Sequence, residues 1–102
     1  MPRIVKRLAA KRDLTHYFVW FAEQAGVDLA RRFLRSADQA FRDLAAMPNM
    51  GPFKVREGKF AGVRMWRVPG FEDILIFYRP LRDGVAIERV FHARQDYQHI
   101  LR

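Results

Sequence analysis

Apolar residues at Leu14, Tyr17, Phe18, Phe21, Ala22 and Ala25 recur at offsets of 3, 4, 7, 8 and 11, which lay them along one face of a helix. Gly26 is a stop signal and Asp28 a cap for the next helix. The pattern then resumes at Ala30, Phe33, Leu34, Ala37, Phe41, Leu44 and Ala45. Two helices joined by a short loop are therefore expected, with Arg3 to Arg7 as a short strand before them. Pro48, Gly51 and Pro52 end the second helix, because proline lacks the amide donor and disfavours helix in the residue before it.

From Phe53 the pattern changes. β-Branched and aromatic residues dominate, and turn signals recur at Gly58, Pro69-Gly70 and Asp83-Gly84, which reads as an antiparallel meander. Val63 to Val68 alternates imperfectly, Ile74 to Tyr78 is continuously apolar, and Val85 to Phe91 mixes apolar residues with Glu88 and Arg89. A strand covered on both faces needs the continuous pattern, so Ile74 to Tyr78 belongs in the middle of the sheet. Gln95 to Leu101 reads as a short terminal helix that docks Tyr97, Ile100 and Leu101 on the sheet. The whole is an α+β domain, a two-helix hairpin packed on a curved antiparallel sheet, with the other sheet face expected to be thinly covered and open to a partner.

Composition narrows the function. The 102 residues suit a single domain, 1–102, and half of them are hydrophobic, so disorder is excluded. With no cysteine there is no disulfide, thiolate nucleophile or thiolate metal site, as suits a cytoplasmic protein. The apolar run from Tyr17 to Ala22 is too short for a signal-peptide core or a membrane span. Nineteen Lys and Arg against eleven Asp and Glu give a formal charge of +8, spread evenly over both halves, which favours polyanionic partners: nucleic acid, ribosome or an acidic protein segment. No P-loop, dinucleotide or zinc motif is present, and His16, His92 and His99 are too scattered for a metal site, so no cofactor is expected.

The polar residues gather near the C-terminus. Ile76-Phe77-Tyr78-Arg79, Asp83-Gly84, then Ile87, Arg89, Val90, His92, Arg94, Asp96, Tyr97, Ile100 and Leu101 form a pattern that resembles the ending of ParE-type toxins, a branch of the ParE/RelE superfamily of toxin–antitoxin modules. The resemblance continues at Asp13-Leu14, at Ala30, Phe33, Leu34, Phe41, Leu44, Ala45, Pro48, Met50 and Gly51, and at Gly62, Arg64, Trp66, Val68, Phe71 and Leu75. It implies a helical hairpin on a curved antiparallel sheet with a small C-terminal helix. It also implies a cognate antitoxin of ParD-like kind, whose acidic disordered segment would fold onto the thinly covered face.

The superfamily implies two activities, and fold alone does not choose between them. ParE-like members bind and poison DNA gyrase, whereas RelE-like members cleave mRNA on the ribosome. Under the first reading there are no catalytic residues, and Arg64, Arg79, His92, Arg94 and Tyr97 are the candidate target-binding set. Under the second, Arg64, Arg94 and Tyr97 take over the family's roles, with His92 as the base and the arginines facing the phosphorane-like transition state. Lys54 and Lys59 lie close by in sequence. A third reading is a stand-alone basic nucleic-acid-binding domain.

Each candidate also has a purely structural role to play. Arg64 and Arg79 can pair with Glu72, Asp73, Glu88 or Asp96, His92 can hydrogen-bond at its strand end, and the Tyr97 ring can pack on the sheet. An aspartate at 96 beside Arg94 would neutralise a cation that a nuclease needs, which favours the gyrase reading.

Overall fold

The structure, a computed structural model, describes residues 2–95 and 97–101. Asp96 and the side chain of Tyr97 lie outside the described residues. The order is β1 (Arg3–Lys6), α1 (Leu8–Ala25), α2 (Val27–Ala46), β2 (Arg64–Val68), β3 (Phe71–Leu81), β4 (Gly84–His92) and one helical turn at Tyr97–Ile100.

A single residue separates the two helices. Gly26 sits at φ +98°, donates its N–H to Ala22 O at 3.0 Å and accepts from Ala30 N at 3.3 Å, so it closes α1 and opens α2 at once. Asp28 is therefore not the cap. It lies in the first turn of α2, where its charge meets the positive end of the helix dipole.

The sheet order is β1-β4-β3-β2, with β3 and β4 central. The meander β2-β3-β4 is antiparallel, but β1 runs parallel to β4 from Arg3↔Gly84 to Lys6↔Ile87, so the sheet is mixed rather than wholly antiparallel. Four residues carry no pattern that fixes direction; the return path through the helix pair does. Gly84 admits this pairing because a Cβ there would lie 1.8 Å from Arg3 O.

The mixed pattern of β4 has a local cause. Phe77 pairs with Arg89 but Tyr78 with Ile87, so Glu88 is an extra residue in a bulge. Val85 and Ile87 face the helices before it and Val90 after it, while Phe91 faces the other way.

The larger core lies between the helices and the sheet, with Phe33, Phe41 and Leu44 against Ile74, Ile76, Tyr78, Val85, Ile87 and Val90. The opposite face is not thinly covered. Val63, Leu75, Phe77, Phe91 and Leu101 are buried there, with Val55, Phe60 and Met65 packed over them. The segment between α2 and β2 folds back across that face, which an irregular stretch of sequence does not announce.

Candidate functional site

The two ends of the sheet carry different chemistry. At one end, β2 and β3 set Arg64 opposite Tyr78, with Arg79 next along β3. Tyr78 is fully buried; its hydroxyl accepts from Gly51 N at 2.8 Å and donates to Pro48 O at 2.8 Å. Burial raises its pKa above 10.0, against the lowering effect of the Gly51 hydrogen bond. Gly51 allows the approach, since a Cβ there would meet Met65 O at 2.5 Å.

Arg64 donates through Nη1 to Gly51 O at 2.6 Å and Asn49 O at 3.3 Å, and its guanidinium carbon lies 4.0 Å from the centre of the Phe53 ring. Arg79, on the other face, donates to Ala61 O at 2.6 Å and Lys59 O at 3.2 Å. Neither pairs with Glu72, Asp73 or Glu88; both hold the connecting segment in place through its carbonyl oxygens. A wide loop turning its carbonyls inward needs donors more than it needs charge partners, and an arginine fork supplies several.

His92 and Arg94 lie at the other end, because His92 pairs with Ile74 while Arg64 pairs with Tyr78. Four residues of strand separate the two levels, about 13 Å. His92 accepts through Nδ1 from the Arg94 backbone N–H at 3.1 Å, which closes a tight turn at the strand end, and its ring stands edge-on to Trp20. The structure therefore does not gather Arg64, Arg79, His92 and Arg94 at one point, and Tyr97 contributes no described side chain.

The outer edge of β4 carries a set of residues that sequence reasoning missed. β1 ends at Lys6, and the last backbone rung is Arg7 N to Ile87 O at 3.0 Å. Beyond it, α1 takes over with side chains. Asp13 Oδ2 accepts from Val90 N at 2.9 Å, and the Tyr17 hydroxyl accepts from His92 N at 2.8 Å and donates to Gln95 Oε1.

The two spacings match: four residues of helix rise about 6 Å and two residues of strand about 6.8 Å. Asp13 also takes a bidentate pair from Arg89, Nε at 2.8 Å and Nη2 at 2.9 Å, with the guanidinium carbon 4.4 Å from the Phe91 ring centre. This hydrogen bonding raises the Arg89 pKa, and burial raises that of Tyr17. An open strand edge is thereby closed. The signal was present as Asp13 and Tyr17 at helical spacing, with Arg89-Val90 far along the chain.

Among the described residues no group of three His, Cys, Asp or Glu is placed to hold a metal ion, and no helix is long and apolar enough to cross a membrane.

The model of the ParE toxin of the type II toxin–antitoxin system, parDE, matches residues 4–97. The chain belongs to the ParE toxin family. A solved structure described as the chromosomal ParDE TA system from P. aeruginosa superposes with a TM-score of 0.71 at 17% identity, over 90% of this chain and 96% of that one. At that identity it speaks for the ParE fold alone. No curated protein sequence matches. Within the ParE fold, Arg64, Tyr78 and Arg79 secure the loop before β2, and Asp13, Tyr17 and Arg89 secure the edge of β4.

Proposed function

We propose that this toxin inhibits DNA gyrase in the cytoplasm by binding it, with no bond broken, and that a cognate antitoxin holds it inactive. The observation that carries the non-enzymatic reading is the separation of the nuclease candidates. RNA cleavage needs a base, an acid and a cation within hydrogen-bond reach of one phosphate. Here Arg64 is committed to two carbonyl oxygens, and His92 and Arg94 lie at the far level of the sheet.

The antitoxin part of the reading moves from the sheet face to the helices. Between α1 and α2 an open hollow of about 210 Å³ is lined by Leu14, Thr15, Phe18 and Leu34. Lys11, Arg31 and Arg35 are exposed on the turns beside it. An apolar seat with a basic rim suits an acidic amphipathic segment that orders as it binds.

Toxin added to a gyrase supercoiling reaction should stop it, and preincubation with the antitoxin should restore it. Undiminished supercoiling at micromolar excess would refute the gyrase reading, and codon-linked mRNA cuts in a translating extract would replace it with the ribosomal one.

A further inference from the structure

Among the described residues Phe53 is the most exposed large apolar one, at 63%, although a second apolar core lies a few residues away. Its ring is nonetheless held. Phe53 bridges to Arg64 in the backbone, Met65 N donates to Pro52 O at 3.0 Å, and Lys54 N donates to Val63 O at 2.9 Å, so the residues on both sides of Phe53 are tied to β2 or to the residue just before it. The Arg64 guanidinium, itself anchored on Asn49 and Gly51, lies against the ring.

Phe53 also borders an open hollow of about 300 Å³ together with Val55, Arg56 and Gly62, so the ring has free space and a further cation beside it. Four cations, Lys54, Arg56, Lys59 and Arg64, stand in residues 53–64 against the single carboxylate Glu57. None of the four is in an ion pair among the described residues, whereas Arg3, Lys6, Arg7, Arg42 and Arg89 all are.

We propose that the Phe53 ring, backed by Arg64, is a stacking platform for an unpaired base of single-stranded nucleic acid, whose phosphates are met by Arg56 beside the ring and by Lys54 next to it in the chain. The ligand must satisfy two demands at once. The cations require negative charge, but an aromatic face carries a negative quadrupole and repels a carboxylate, so an acidic peptide gains nothing from the ring. A nucleotide offers a π-face to the ring and a phosphate to the cations. A duplex keeps its bases stacked within itself, so the strand must be single.

The experiment compares a fluorescein-labelled oligothymidylate with an abasic phosphodiester of equal length by anisotropy at low salt, with no gyrase present, so its result is independent of the supercoiling assay. The wild-type protein should prefer the base-bearing strand by about tenfold, the size of one stacking contact. Phe53→Leu should lose that preference and Phe53→Tyr keep it. Both should melt like the wild type, because the side chain is exposed. Arg56→Gln should weaken both ligands alike and flatten the salt dependence by about 0.7 in log–log slope. Equal wild-type affinity for the abasic strand, a preference that survives Phe53→Leu, or competition by polyglutamate as effective, charge for charge, as by the oligonucleotide would each overturn the proposal.

Discussion

Replacing Asp13 with alanine tests whether one helix side chain closes the edge of β4. The carboxylate accepts three hydrogen bonds, two from Arg89 and one from the Val90 amide, and the Asp13 and Arg89 side chains are only 13% and 23% exposed. Removing one partner of a buried ion pair costs about 3–5 kcal/mol, because the other charge stays desolvated and alone. The residual exposure of Arg89 lets water reach part of the guanidinium, so the expected loss is about 2–4 kcal/mol. For a domain of this size that lowers the melting temperature by roughly 10–20 °C.

Urea unfolding of Asp13→Ala, Arg89→Met and the double variant gives the interaction energy directly. The double variant should be less destabilised than the sum of the singles by about 1–3 kcal/mol. Asp13→Asn, which keeps an acceptor for Val90 N–H, should recover about 1 kcal/mol of the alanine loss. If Asp13→Ala lowers stability by less than about 0.5 kcal/mol, or the two sites add without coupling, the latch carries no weight and the edge is held some other way.

Tyr78→Phe should cost about 2 kcal/mol, because the Gly51 N–H and Pro48 C=O lose their partner; a shift of the urea midpoint at constant m measures it, and an unmoved midpoint would show that water replaces the hydroxyl. Alkali should unfold the domain through Tyr17 and Tyr78. Their folded pKa values are raised above 10.0, chiefly by burial, so their contribution to stability is complete below pH 10 and falls as the unfolded phenols ionise above it. Melting temperatures should be level on approaching pH 10 and drop beyond it, with phenolate absorbance rising alongside unfolding; phenolate absorbance that rises with the fold intact near pH 10 would contradict this.

The helices were legible because their apolar faces repeat over three turns or more, and the central place of Ile74 to Tyr78 because continuous apolarity has few other uses in a small sheet. The hidden features depended on partners far away in the chain. Four residues at the N-terminus do not state their direction, and the bulge at Glu88 breaks the two-residue period that would otherwise assign faces along β4.

The candidate site shows the same limit in a sharper form. Arg64, Arg79, His92 and Arg94 are all polar residues near strand ends, but antiparallel strands that are adjacent in sequence bring opposite ends together, so nearness in the pattern is not nearness in space.

Asp13 points the other way. A carboxylate on the apolar side of a helix, with a tyrosine four residues later, is a poor choice for a surface and poor packing for a core. The contradiction resolves only when both side chains face the amides of a strand edge that no further strand covers. A polar pair that spoils an apolar helical face is thus evidence about a strand elsewhere in the chain. Here it locates the place where β1 stops and α1 begins to do a strand's work.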